Sequence, residues 1–364
     1  MRFAEISIRQ PKSSIKAGEG LECGTYKFFT SGVSQSKFLN EALYHGPALI
    51  FGTGGSPSVH YCEEDFSTST DCLVYYPSDE SIDFYCAYLF FKSHIYLLEK
   101  GFRGAGLKHI KKDYIENIEI NWPNEDRRNV INTTSKKIDF LAAKRKEQLD
   151  KLNVLSSALF YEMFGNQLDG EDPLVDLCEK KEDIKCGPFG TQLSKSEYQS
   201  SGVAVWGIPQ INSKFSLPPT DYVSEQKAKK LEGYSVVPGD IVMSRKGNVG
   251  QCCVFPQELD KGIIHSDVLR IRLCNESANP VFMMYQLHLS ELVKRQIMKV
   301  SSGAIMQGVN VTKLKNIRVA VPPLPLQQEF ADKVANIEKQ KELIQNSLQK
   351  LELLKNSLMQ QYFA

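Results

Sequence analysis

Phe330-Ala331-Asp332-Lys333-Val334-Ala335-Asn336-Ile337 opens the stretch that decides the fold, and its pattern continues to Tyr362. Apolar residues recur by fours and threes at Phe330, Val334, Ile337, Ile344, Leu348, Leu351 and Leu358, with only Lys341 and Lys355 interrupting the seam. Such an a/d pattern, held over about four heptads, predicts a long helix whose apolar stripe packs either onto its own domain or against a second helix. Pro322-Pro323-Leu324-Pro325 stands just before it. Proline is tolerated there because the first helical N–H groups have no partner to lose.

The second helix is present in the same chain. Shifting the sequence by 199 lays residues 103–164 on 302–363 without a gap. Gly104-Ala105 falls on Gly303-Ala304, Pro123 on Pro322, Ile138 on Ile337, Leu149 on Leu348, Leu152 on Leu351, Leu159 on Leu358 and Phe164 on Phe363. Ile131 continues the first seam, and Gly165-Asn166-Gln167 ends that helix, with Gly165 at a C-cap position. Upstream, Phe3-Ala4-Glu5-Ile6 matches Leu174-Val175-Asp176-Leu177. Gly46-Pro47-Ala48-Leu49-Ile50 matches Pro238-Gly239-Asp240-Ile241-Val242, and Ser69-Thr70-Asp71-Cys72-Leu73 matches His265-Ser266-Asp267-Val268-Leu269. The chain is therefore expected to be a duplication: globular unit 1–123, helical segment 124–166, globular unit 167–321, helical segment 322–364. Two similar helices separated by long units are expected to pair antiparallel. At ~1.5 Å per residue each would span about 50 Å, close to one and a half turns of B-DNA at ~34 Å per turn.

Composition sets the outer limits. With 364 residues, 42% apolar and 24% charged, the chain is neither disordered nor fibrous and is long enough for two cores. No apolar run approaches the ~18 residues of a membrane span. Glu5 stands where the apolar core of an export signal belongs, so a cytoplasmic protein is expected. Nine cysteines from Cys23 to Cys274 include no C-x-x-C pair, which points to reduced thiols rather than zinc or disulfides. Lys and Arg number 44 against 43 Asp and Glu, so any nucleic-acid footprint must be local.

Both globular units read as mixed α/β, an α+β pattern. Ala48–Phe51, Asp240–Met243, Cys72–Tyr76 and Val268–Arg272 read as strands, and Ile82–Leu98 and Pro280–Ile297 as amphipathic helices. The stripe Phe84, Tyr85, Tyr88, Phe91 reads as core rather than a base-stacking platform. After each helix comes a glycine loop and a basic run. One holds Lys294, Arg295, Lys299, Lys313, Lys315 and Arg318 with no acid between Leu292 and Val319. The other holds Lys100, Arg103, Lys108, Lys111 and Lys112, flanked by Glu99 and Asp113. Cations interleaved with Ser302, Gln307 and Asn310 suit phosphate contacts and base-edge hydrogen bonds. In the loop Ser244-Arg245-Lys246-Gly247-Asn248-Val249-Gly250, Arg245 can fork onto guanine, with Lys246 and Asn248 beside it. Gly187-Pro188-Phe189-Gly190-Thr191-Gln192-Leu193 offers an exposed Phe189 and Gln192, whose amide suits adenine. Trp206 and Gln210 are either further readers or structural residues.

Competing chemistry is weaker. Phe51-Gly52-Thr53-Gly54-Gly55 suggests a cofactor glycine loop but lacks a following helix, and reads as a hairpin or bulge turn. Asp221 with Glu225-Gln226-Lys227 suggests a nuclease cluster, yet the acids stand too close in sequence, in a loop leading into a helix, to share a metal from separate strands. Asp71 and Asp267 read as turn residues, the histidines lack ligand spacing, and no G-x-x-x-x-G-K-[ST] loop is encoded. No metal or cofactor is expected. A stand-alone DNA-processing enzyme and a coiled-coil scaffold that never touches nucleic acid are the alternatives.

The duplicated layout, Trp122-Pro123, Val321-Pro322-Pro323-Leu324-Pro325-Leu326-Gln327-Gln328-Glu329, Gly187-Pro188-Phe189-Gly190, Pro238-Gly239-Asp240-Ile241-Val242 and Ser244-Arg245-x-Gly247 together resemble one family. It is that of the specificity (S) subunits of type I restriction–modification systems. The first half departs from the pattern: Asn124-Glu125-Asp126 stands where Pro-Leu-Pro is expected, and the loop after Ile50 lacks an arginine. The resemblance implies two target-recognition domains, each reading half of a bipartite site in double-stranded DNA. It implies that the paired helices form a spacer that docks two modification (methyltransferase) subunits, with restriction subunits in the larger complex. Catalysis would belong to those partners, without a membrane.

Overall fold

A computed structural model describes residues 1–302 and 308–363, apart from the side chains of Asn166 and Ser302. The chain forms two compact units, Met1–Glu147 with Ile344–Ala364, and Gln148–Leu343.

In the first unit the main sheet is ordered Ser7–Arg9, Cys72–Pro77, Ala48–Gly52, Ser58–Cys62, with antiparallel neighbours throughout. The central run Ala48-Leu49-Ile50-Phe51 is buried on both faces, as alternating side chains in a covered strand must be. Leu49 and Phe51 join Phe3, Tyr75 and Phe91 on one face, while Ala48 and Ile50 join Phe29, Phe66 and Val74 on the other. That second face is covered by a smaller sheet, Lys37–Leu39, Tyr26–Phe29, Phe66–Thr68, whose last two strands run parallel. The stripe Phe84, Tyr85, Tyr88, Phe91 packs in or against the core, as its sequence suggested.

The second unit repeats this plan with one strand added to its smaller sheet. Its main sheet is ordered Ile184–Cys186, Val268–Ile271, Ile241–Ser244, Cys252–Val254. Its smaller sheet is Asp221–Val223, Val203–Trp206, Gly262–Ile264, with Ser235–Val236 added at the edge and the middle pair again parallel. The matched openings Phe3–Glu5 and Leu174–Leu177 are both 3-10 turns. Pro238-Gly239-Asp240 has a structural role. Gly239 turns the chain at φ +89°, and the buried Asp240 carboxylate accepts from Val237 N and clamps Arg272 through two 2.7 Å bonds.

Each amphipathic helix read from the sequence is two helices. The first is Phe84–Ser93 followed by Ile95–Glu99, broken at His94, whose backbone (φ −113°, ψ 38°) is not helical. The second is Pro280–Leu289 followed by Glu291–Val300, broken at Ser290, whose extended backbone lets its hydroxyl cap Val293 N.

The two long helices are Glu125–Phe164 and Leu324–Phe363. Their starts differ chemically. Asn124 Oδ1 accepts from Arg127 N at 3.0 Å, and Glu125 and Asp126 lie in the positive first turn. The second helix begins at its prolines, where buried Gln327 donates to Pro322 O and accepts from Asn279 N. The first helix ends in the 3-10 turn Gly165–Gln167, and Gly165 does not adopt the left-handed conformation of a C-cap glycine.

Within each unit the helices pair antiparallel, early residues of one against late residues of the other. In the first unit Ile131 shares the core with Met359 and Phe363, and Lys355 Nζ reaches both Asp139 oxygens at 2.6 and 2.8 Å. In the second, Phe160 and Phe164 pack on Phe330 and on Phe282 of the globular part. Lys341 there is 7% exposed and donates to Glu338 Oε1 at 2.6 Å and Ser156 Oγ at 3.5 Å. Both lysines that break the seam thus have specific acceptors. Ile131, Ile138, Val334 and Ile337 are buried; Leu149, Leu152, Leu159, Ile344, Leu348, Leu351 and Leu358 are half-buried. Among the described residues no helix is long and apolar enough to cross a membrane.

Candidate nucleic-acid interface

Each unit builds the same backbone frame at the end of its central strand. In the first, Thr53 N donates to Asp71 O at 2.8 Å and Ile110 N donates to Thr53 O at 3.0 Å. In the second, Arg245 N donates to Asp267 O at 2.9 Å and Val309 N donates to Arg245 O at 3.1 Å. Ile110 and Val309 are related by the repeat offset of 199, so Thr53 and Arg245 hold equivalent positions. The matched carboxyl residues Asp71 and Asp267 serve the frame through their carbonyls, as turn residues. Phe51-Gly52-Thr53-Gly54-Gly55 is the connection of a hairpin, since Ala48–Gly52 pairs with Ser58–Cys62.

Around Arg245 the second unit gathers several of the expected residues. Its Nε donates to Val309 O at 3.3 Å, and its guanidinium lies 4.8 Å from the ring centre of Phe189. Neither Nη has a hydrogen-bond partner among the described residues, so the two terminal amino groups form an open fork. Phe189 is 44% exposed, but its ring supports the arginine rather than standing free. Gln192 Oε1 accepts from Phe189 N and from Tyr234 OH, leaving its amide N–H₂ available. Lys246 Nζ is paired with Asp267 Oδ1 at 2.7 Å, which reduces its value as a phosphate ligand. Asn248 is exposed in the same loop. Ser301–Ser302 pairs with Gly308–Val309, and exposed Asn310 caps the helix Val311–Leu314 by accepting from Lys313 N. Lys313 is exposed. Gln307 and the Ser302 side chain lie outside the described residues.

Trp206 and Gln210 are structural, and a reading role for them is corrected. Trp206 is 4% exposed, stacks edge-on with Phe215 and Phe255, and lies over Gly262, where a Cβ would meet its Nε1 at 2.3 Å. Gln210 is 3% exposed; it accepts from Gly207 N and donates to Pro218 O.

In the first unit Lys108, Lys111 and Lys112 are exposed and have no ion-pair partner among the described residues. Arg103 is exposed, but its Nη1 donates to Lys100 O and Phe102 O, so it braces its own loop. The hairpin it belongs to, and the equivalence of Thr53 with Arg245, escaped the sequence reading. The offset that relates Ile110 to Val309 carries that signal.

The enzyme alternative finds little to work with. Asp221 lies on a short strand, not a loop, and Glu225 opens the helix Glu225–Lys230, which Ser224 caps. Cys252 Sγ lies 3.3 Å from His288 Nε2, a nucleophile–base distance. Yet burial pushes the Cys252 thiol well above its usual range and the His288 imidazole below its own, and Nε2 accepts from Cys252 N. A neutral, fully buried thiol beside a neutral ring is not an activated nucleophile. All nine cysteines are unpaired, and among the described residues no three His, Cys, Asp or Glu side chains gather as a metal site.

A two-sheet domain built twice, with a long helix following each copy, is the architecture of solved type I restriction–modification S subunits. The S subunit from M. genitalium superposes with a TM-score of 0.65 at 15% identity, covering all of this chain and 95% of that one. A chain from a study of complex assembly and conformational transition of the type I R-M system superposes at 0.54 with 16% identity, covering 100% of this chain and 96% of that chain. The family model "Type I restriction modification DNA specificity domain" matches residues 3–151 and 173–353. The chain belongs to that family. Among curated relatives, the MjaVIII specificity subunit of Methanocaldococcus jannaschii is 23% identical over 274 residues, 71% of this chain and 64% of the relative. The putative MjaX specificity subunit of the same organism is 22% identical over 176 residues, 47% of this chain and 41% of the relative. The matches thus span less than two thirds of either relative's length.

Proposed function

We propose that this chain is the DNA-specificity subunit of a type I restriction–modification complex. Residues 1–123 and 167–321 act as target-recognition domains, each reading one half of a bipartite double-stranded site. Segments 124–166 and 322–364 pair as the spacer and dock two modification subunits in the cytoplasm. Methyl transfer, ATP-driven translocation and cleavage belong to the modification and restriction subunits, and this chain catalyses none of them.

One observation carries the reading: the same backbone frame is built twice, with Thr53 at its key position in one copy and Arg245 in the other. A duplicated frame with unlike side chains suits the reading of two unlike half-sites, since base edges are discriminated by donor and acceptor pattern. The helices supply a matching pair of apolar patches. Val154-Leu155 and Leu353-Leu354 are all exposed and are related by the 199-residue offset, so one patch lies in each unit. Exposed apolar groups at equivalent positions suit two copies of one partner.

The test is methylation mapping of the chain assembled with its modification subunits. An interrupted two-part motif is expected, and Arg245→Ala should relax one part alone. Equal relaxation of both parts, or a continuous motif, would count decisively against the assignment.

A further inference from the structure

The equivalence of Thr53 and Arg245 leaves the first unit without an arginine fork at its frame, and Thr53 Oγ1 is itself engaged, donating to Asp71 O at 2.9 Å. What the first unit offers beside that frame is a small hairpin. Arg103 and His109 exchange both backbone bonds at 2.9 Å, closing the loop Gly104-Ala105-Gly106-Leu107-Lys108. Gly104 sits at φ +140°, and a Cβ there would meet Leu107 O at 2.7 Å, so this turn requires glycine.

The hairpin is held at its base by the glycine-rich connection. Ile110 N donates to Thr53 O, Gly55 N donates to Lys108 O at 3.3 Å, and Gly54 bridges His109. Leu107, at 79%, is the most exposed large apolar side chain among the described residues. Flanking it in the sequence, residues 100–112 hold five Lys or Arg and no Asp or Glu. In the sequence, the 199 offset lays Leu107 on Met306, another apolar residue.

A glycine-shaped loop, closed by paired backbone bonds, that presents one apolar side chain in a cation-rich stretch of sequence matches a specific chemistry. The cations suit phosphates, and the apolar group needs a partner that a polyanion offers sparingly. In the major groove that partner is the 5-methyl group of thymine. We propose that the Arg103–His109 hairpin enters the major groove and that Leu107 reads a thymine methyl within the first unit's half-site. This rests on the DNA-specificity reading above and assigns part of its readout.

The experiment uses the full chain assembled with its modification subunits and duplexes carrying the mapped motif. The first unit's half-site is the one that Arg245→Ala leaves unchanged. Each thymine of that half-site is replaced in turn by uracil, which removes only the methyl group. At one position the wild-type complex should bind about fourfold more weakly, the factor that burial of a single methyl gives. Leu107→Ala should bind the thymine duplex more weakly by a similar factor and lose its sensitivity to uracil there. Because Leu107 is exposed, unchanged binding at the other half-site reports an intact fold.

Absence of any uracil-sensitive position in that half-site would overturn the proposal, as would sensitivity that persists in Leu107→Ala. Loss of modification subunits from the Leu107→Ala assembly would overturn it too, and would assign the side chain to protein docking. Failure of the wild-type complex to prefer any motif is a different result, and that one removes the DNA-specificity reading itself.

Discussion

On the proposed reading, Arg245 would meet a base with much of its freedom already lost. Its Nε–H is bonded to Val309 O and its face lies on Phe189, so ordering costs fall on contact while no described residue engages the fork. Charge alone does not reproduce this geometry. Arg245→Lys should therefore lose about 1–3 kcal/mol of discrimination at one base pair, nearly as much as Arg245→Ala. Competition binding against duplexes altered at that pair measures it, and a lysine variant with full discrimination would show that only charge matters. The arginine stood out in the sequence as a candidate because it follows a strand and precedes Gly247 and Gly250. Trp206 and Gln210 were not separable from readers, since residue type does not say whether a side chain on a strand or a short helix faces the core. Gly262, whose missing Cβ makes room for the indole, settles that only in three dimensions.

The long helices were the most legible elements, because heptad spacing over forty residues leaves few other structures. Their lysines were legible only as interruptions. Lys341 lies within the seam, while its partner Glu338 is partly exposed and Ser156 Oγ also donates to Leu152 O. An apolar replacement strands neither partner. Lys341→Met should therefore be neutral or stabilising by roughly 1–2 kcal/mol. Thermal unfolding checks this, and a large drop in midpoint would mean the ion pair is worth more than its burial costs. The breaks at His94 and Ser290 were illegible because each depends on one residue's backbone angles. Amphipathic spacing runs through such a break almost unchanged.

At the scale of the molecule, the duplication was read from one offset, and the matching order of the two main sheets bears it out. The sharing of the helices was not read. Nothing in a heptad pattern says which core the far end of a helix will join. If the paired helices set the spacing between half-sites, removing one heptad from each should shorten the methylated motif's gap by about three base pairs, from ~1.5 Å per helical residue and ~3.4 Å per base step. The bases of each half should stay the same; a gap of unchanged length would refute the spacer role. The shared helices also bear on how the protein is made. Met359 and Phe363 are packed into the core that holds Phe3 and Phe91. On the ribosome, the core around Phe3 and Phe91 must wait, with part of its greasy interior open, until residues 359–363 have been made. Chaperone capture of nascent chains should thus persist until Met359 and Phe363 have left the exit tunnel.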